Sequence, residues 1–298
     1  MSDKLNKISI LIPVYNRLEI TKKGLESIYL ALHQYEESGK GSIYFEIVVV
    51  DDGSTDGTSE WVAQNHPTAH IEKGDGNLWW TGSINKGAKF AIDILNSNYL
   101  LLWNDDVFPK KDYFIELEKI VFKKPKNVII GSLIYIYNSN REIWSVGGKF
   151  NSLFGKLSML NSIKSGSSEI IQCDWQPGMG TLIDADIIDS NNLWWDEKNF
   201  PQYFGDSDFV LRAKKKGVMV STNLNLIAFN NIETTGHKGT QNFNEVLLAL
   251  KSIKSIYNVK KNFLFFSRHG IIPFTYYEFI KKFIGYFVKY VKSQLKVN

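Results

Sequence analysis

The chain of 298 residues contains a single cysteine, Cys173, which excludes an intramolecular disulfide framework and fits a reducing compartment. A lone thiol of this kind ordinarily serves as a small buried apolar residue. No stretch reaches the roughly 18 uninterrupted apolar residues of a spanning helix. Residues 1–7 are polar and lack the apolar core of a secretory signal, so a cytoplasmic chain is expected. Charge of one sign is in small excess: a net +4 carries no general nucleic-acid footprint. Walker A and dinucleotide-binding spacings are both missing from the Gly-rich stretch.

What is present is aromatic and strand-rich. Eight Trp and fourteen Tyr suit ring-shaped ligands, or else reflect a coding bias toward Phe, Tyr, Asn, Lys and Ile. At roughly 150 residues per domain, the length suits one large domain, with or without an appendage. The strongest local feature is Tyr99-Leu100-Leu101-Leu102-Trp103, which runs into Asn104-Asp105-Asp106 and stops at Pro109. Such an apolar run reads as a buried strand. Adjacent acids at its end are costly to bury without a positive partner, so they form a divalent-cation site or a solvated turn. Two other strands end alike: residues 8–12 lead into Pro13-Val14-Tyr15-Asn16, and residues 45–50 into Asp51-Asp52-Gly53-Ser54. Helical spacing from Leu18 to His33 separates them. Strand, helix, strand, helix predicts a parallel sheet whose ligands lie beyond the carboxyl ends of its strands. Three neighbouring tips would share one crevice.

Between Gly74 and Gly87, four glycines precede a helix expected from about Ser83 to Leu95, with its N-terminus facing an anion. Trp79 and Trp80 suit core packing or ligand contact. Beyond Pro125, strands are expected over Val128 to Tyr137, within Glu142 to Leu160, over Ile170 to Trp175 and over Val218 to Phe229. Asp206 and Asp208 precede a helix over Val210 to Lys216, where the dipole favours carboxylates and capping is common. One helix is predicted from Glu245 to Phe266 and a last one from Phe274 to Lys296. The last is amphipathic and lysine-rich, which suits a bilayer surface, a partner protein or packing on its own domain.

Ile10-Leu11-Ile12-Pro13-Val14-Tyr15-Asn16 with Val49-Val50-Asp51-Asp52-Gly53-Ser54 resembles the opening of the family 2 glycosyltransferases. The likeness continues through Asn77 to Gly87, Asn104-Asp105-Asp106, Gly178-Met179-Gly180 and Gly205-Asp206-Ser207-Asp208-Phe209. The Asn77 to Gly82 stretch is similar to rhamnosyltransferase-like members acting on bacterial surface polysaccharides. The resemblance implies a GT-A fold: an α/β protein with a mixed, mostly parallel sheet flanked by helices, here with a C-terminal helical appendage. It implies a catalytic domain over 1–240, split into a nucleotide-sugar half (1–125) and an acceptor half (126–240), then a helical segment over 241–298.

The implied activity is inverting, metal-dependent transfer of a sugar from a UDP- or dTDP-sugar to a hydroxyl of a glycan or lipid-linked acceptor, at or near the inner membrane face. Pro13, Tyr15, Asn16, Arg17, Asp52, Gly76, Asn77 and Asp105 would serve the nucleotide, with Asp52 accepting a ring N–H of the base. Trp80, Gly178, Met179, Gly180 and Trp195 would line the donor and acceptor pocket. Asp106 and His237 would ligate Mn²⁺ or Mg²⁺. Asp206 would be the general base, with Asp208 in reserve. Two positions depart from the family pattern: Asn104 stands for the first acid of a DxD motif, and Gly205 for the Glu before the catalytic Asp. A nucleotidyltransferase would also use strand-end acids, but Pro13-Val14-Tyr15-Asn16-Arg17 is not its Gly-rich basic loop. A catalytically silent nucleotide-sugar binder would have no use for Asp52, Asp106, Asp206 and His237 together.

Overall fold

The computed structural model describes residues 6–39, 41–123, 125–234 and 242–295. The first half contains β1 (Asn6–Val14), α1 (Leu18–Glu37), β2 (Ile43–Asp51), α2 (Thr58–Asn65), β3 (His70–Lys73), α3 (Trp79–Asp93), β4 (Tyr99–Leu102), β5 (Val107–Pro109) and α4 (Tyr113–Val121). Next come β6 (Val128–Ile136), β7 (Ile143–Ser145), β8 (Gly148–Asn151), β9 (Lys156–Met159), β10 (Ile170–Gln172) and β11 (Thr181–Asp184). The chain continues through α5 (Asp186–Asn191), α6 (Gly205–Lys215), β12 (Met219–Asn230) and a 3₁₀ turn (Ile232–Thr234). Three helices follow: α7 (Phe243–Lys251), α8 (Val259–His269) and α9 (Phe274–Leu295).

The main sheet runs β10-β12-β6-β11-β4-β1-β2-β3, and its longest ladders are parallel. Strand β1 pairs in parallel with β2 on one side and β4 on the other. The three polar tips are therefore neighbours, which is the condition for their sharing one crevice. Alternation sorts the apolar residues into two layers. Ile8, Ile10, Ile12, Val49 and Leu101 pack with Leu25 and Ile28 of α1 and Phe114 of α4. Leu11, Val48, Val50, Leu100 and Leu102 pack on the other face with Ile84 and Ala88 of α3 and Phe209 of α6. Gly24 lets α1 approach closely, because a Cβ there would overlap the backbone carbonyl of Asp105. Strand β11 joins the halves, pairing antiparallel with β4 and with β6.

Two expected elements differ. Helix α3 begins at Trp79, four residues earlier than its apolar spacing suggests. The helix expected over Glu245 to Phe266 is two, because Asn258 closes both ends of a break. Its Nδ2 donates to the carbonyl oxygens of Lys251 and Ser252, ending α7, while its Oδ1 accepts from Lys261 N and caps α8. Helix α9 packs Phe279, Tyr286 and Tyr290 against Phe263, Phe266, Tyr257 and Phe243. A second apolar stripe on α9, Tyr277, Ile280, Ile284, Val288, Val291 and Leu295, stays exposed. Among the described residues no helix is long and apolar enough to cross a membrane.

Candidate active site

The crevice is built at the tips of β4, β1 and β2. Asp105 and Asp106 lie beyond β4 and are almost completely buried, 2% and 1% exposed. Arg17, at the start of α1, balances both: its guanidinium lies 3.2 Å from Asp105 Oδ1 and 2.8 Å from Asp106 Oδ2. Thr21 Oγ1 also donates to Asp105 Oδ2, at 3.1 Å. Burial pushes the Asp105 carboxyl up to about 7; Arg17 opposes the shift and the Asp106 charge adds to it. Arg17, expected among the nucleotide-binding residues, is here the counter-ion of the acid pair.

Asp52 organises the next wall. Its Oδ1 accepts the N–H groups of Gly76 and Leu78 at 3.0 and 3.1 Å, and its Oδ2 that of Trp79 at 2.8 Å. The carboxylate so placed explains the early start of α3, since it satisfies N–H groups a helix end leaves unpaired. It also corrects one expectation: these N–H groups are engaged by Asp52, and those of Trp80 and Thr81 by Gln202 Oε1 and the Pro201 carbonyl. The α3 N-terminus is therefore no anion site. Oδ2 of Asp52 carries only one of the three donors and keeps capacity for another N–H. Pro13 is half-buried and Tyr15 exposed, at the tip of β1. Asn16 is exposed and braces the neighbouring tip, donating its N–H to Ser54 Oγ and accepting from Thr55 N at its Oδ1. Gly76, at φ 89°, and exposed Asn77 turn the chain into α3.

A continuous line of contacts leads from the acid pair to Asp206. Trp80 Nε1 donates to Asn104 Oδ1 at 3.0 Å. The Trp80 ring lies so close to Gly178 that a Cβ at 178 would overlap it. Gly178 N donates to Asp206 Oδ2 at 3.1 Å, and Ser207 N to Asp206 Oδ1 at 2.7 Å. Met179 is half-buried beside them, and Gly180, at φ 60°, offers its carbonyl to Ser132 Oγ. Burial raises the Asp206 carboxyl above the ordinary range against these donors, although the residue as a whole is only half-buried. Both departures from the family pattern have local causes. Asn104 is the acceptor for Trp80, and a side chain at Gly205 would collide with Thr81 Oγ1.

Two expected site residues lie elsewhere, and a third falls outside the described residues. Trp195 is core: 2% exposed, it stacks on Phe209 with centroids 4.0 Å apart, so it lines no pocket. Asp208, fully buried, accepts from Arg212 Nε at 2.7 Å, Arg268 Nη1 at 2.9 Å and His269 Nε2 at 2.8 Å. Burial alone would raise its carboxyl, but these partners hold it below the usual range. It therefore ties α6 to α8 and is no reserve base. His237 lies outside the described residues. Arg268 and His269 carry no motif, and no sequence signal links them to Asp208.

Among the described residues, no three His, Cys, Asp or Glu side chains converge as a metal cluster. The buried Asp105–Asp106 pair is an all-oxygen donor set of the kind that holds Mg²⁺ or Mn²⁺ when phosphate oxygens complete the shell.

Comparison with known proteins agrees with this geometry. An uncharacterized glycosyltransferase of Rickettsia felis is 30% identical over 49% of this chain and 22% of its own length. The low-salt glycan biosynthesis hexosyltransferase Agl10 of Haloferax volcanii is 22% identical over 59% of this chain and 55% of its own. The chain thus spans from about a fifth to about half of these relatives. The crystal structure of GalNAc-T7 with UDP, GalNAc and Mn²⁺ superposes with a TM-score of 0.60 at 12% identity, covering 95% of this chain and 55% of that one. The family model for glycosyl transferase family 2 matches residues 9–175, more than half of the chain. The chain belongs to glycosyl transferase family 2 and has the GT-A fold.

Proposed function

We propose that the protein transfers a sugar from a UDP- or dTDP-sugar to a hydroxyl of a glycan or lipid-linked acceptor, with inversion at the transferred carbon. The observation that carries this reading is the line from Asn104 through Trp80 and Gly178 to Asp206, which connects a half-buried aspartate of raised pKa to the tip that carries a buried acid pair. Tyr15 and Pro13 border the base and Asp52 accepts its ring N–H. Asp206, held by Gly178 N and Ser207 N, removes the proton of the attacking hydroxyl. Its raised pKa makes it a better proton acceptor than an ordinary aspartate. Asp105 and Asp106 would hold a divalent cation, which would supply positive charge for the departing nucleoside diphosphate. Arg17 supports that charge from the same side. Agl10, named for glycan biosynthesis, and GalNAc-T7, crystallised with UDP and Mn²⁺, support the substrate class.

The exposed stripe of α9, with Lys292 near its end, rests on an anionic membrane surface, lying on it rather than crossing it. Such a position suits a cytoplasmic enzyme of surface-polysaccharide synthesis. Asp206→Asn tests the core of the reading: it should abolish transfer and leave UDP affinity nearly intact. Unchanged turnover removes Asp206 from the base role.

A further inference from the structure

Helices α8 and α9 close a cavity of about 400 Å³ against the β8–β9 hairpin and the residues before α8. Phe204, Tyr257 and Tyr286 give it an aromatic lining, while Lys156, Lys281, Lys282 and Lys289 face it with one carboxylate, Glu278. Four lysines less one glutamate leave an excess of three positive charges. Glu278 is paired with Lys281 at 3.4 Å. No carboxylate among the described residues pairs with Lys156, Lys282 or Lys289.

Lys282 is the unusual member. Its ammonium donates to Asn262 Oδ1 at 2.6 Å and to the Ile256 carbonyl at 3.0 Å, between the rings of Phe204 (5.3 Å) and Tyr257 (5.7 Å). Burial lowers its pKa to about 8. Lys282 is half-buried, and its hydrogen-bond partners are all neutral. A purely structural clamp between α9 and the turn before α8 would explain Lys282 but not the unpaired charge at Lys156 and Lys289. Phe204 immediately precedes α6, so the cavity wall and Asp206 are two residues apart, at most ~7.6 Å between Cα atoms.

We propose that this cavity binds the phosphate-bearing saccharide of an anionic acceptor, its phosphate on Lys282 and Lys289 and its sugar against the aromatic wall. Concave, largely apolar sites with a few convergent polar groups are the usual form of such pockets. A phosphate, near two negative charges with three acceptor oxygens, matches the surplus better than a carboxylate. The inference rests on the glycosyltransferase reading for the word acceptor, and its test separates the two.

Calorimetry on the full chain would begin with UDP. Absence of UDP binding counts against the donor reading alone. With UDP and Mg²⁺ saturating the donor crevice, glucose 1-phosphate should bind about tenfold more tightly than glucose, as expected for hydrogen bonds to charged groups. Lys282→Gln should remove that preference with UDP affinity unchanged. The rim variant Lys156→Gln/Lys289→Gln, which leaves the buried contacts intact, should also reduce it and serves if Lys282→Gln fails to fold. Equal affinity for the two sugars, or an unchanged preference in the rim variant, overturns the proposal. Inorganic phosphate binding as tightly as glucose 1-phosphate overturns its saccharide part. Binding only to phosphatidylglycerol vesicles, lost in the rim variant, reassigns the lysines to lipid headgroups and overturns it too.

Discussion

The indole N–H of Trp80 reaches the side-chain oxygen of Asn104 across 3.0 Å, fastening the first turn of α3 to the tip of β4. The same ring closes on Gly178, the residue that donates to Asp206. Gly178→Ala would force the ring aside, and Trp80→Ala would remove it. Each should lower turnover by about 10²-fold, the scale of a misplaced reacting group, with UDP affinity little changed. Steady-state kinetics beside UDP titration checks this. Wild-type turnover in Gly178→Ala would detach Trp80 from the site.

Asp208 should matter to folding and not to chemistry. Asp208→Ala removes the shared partner of Arg212, Arg268 and His269. Breaking a buried pair of this kind costs about 3 kcal/mol, readable in urea denaturation at pH 7. Because the folded pKa is depressed, the stabilisation is present above the unfolded carboxyl value of about 3.9 and is lost as pH falls through the lower folded value. The gap between wild type and variant should therefore narrow only in acid. A gap constant with pH would show that the ion cluster is not its source.

Asp206 has the opposite shift, and the consequence is for rate. A general base works deprotonated, so kcat falls as pH drops through the folded pKa. Burial places that value above the ordinary range, so the acidic limb of the kcat profile should lie above about 3.9. An acidic limb at or below that value would argue for another base.

Chelation probes the acid pair. EDTA should stop transfer, and excess Mn²⁺ or Mg²⁺ should restore it. Asp106→Asn should weaken UDP binding in the presence of the ion and leave metal-free UDP binding unchanged. Full turnover in EDTA would leave Arg17 as the cation facing the diphosphate.

The exposed stripe of α9 gives a surface prediction. Ile284→Glu/Val288→Glu should abolish co-sedimentation with phosphatidylglycerol vesicles without altering the fold, since both side chains are exposed. Retained co-sedimentation would reassign the stripe to a protein partner or to solvent.

The strand tips were legible because a buried parallel strand is apolar on both faces, so its polar end stands out in one dimension. Crossover geometry made the sheet parallel, while the placing of β1 between β4 and β2 came only with the strand pairing. What remained hidden depends on partners far apart in the chain. Asp52 caps α3 from 26 residues away, and Arg268 and His269 meet Asp208 across about 60 residues. Trp80 and Trp195 both sit in Trp-Trp pairs, and local pattern cannot tell the ring at the crevice from the ring in the core. The break between α7 and α8 turned on one asparagine serving two helix ends, while the apolar spacing ran on through it.

Strand β11 has a mechanical consequence. Leu182 pairs with Leu101 on one side and with Ile130 on the other, and β5 pairs with β12, so hydrogen-bonded ladders run unbroken from β4 to β6 and from β5 to β12. The strands on either side of β11 cannot swing apart without breaking these ladders, whose buried amides have no water to turn to. The separation between the Asp106 tip and the Gly178–Asp206 wall is thus set by strand register. The molecule is a frame, not a jaw.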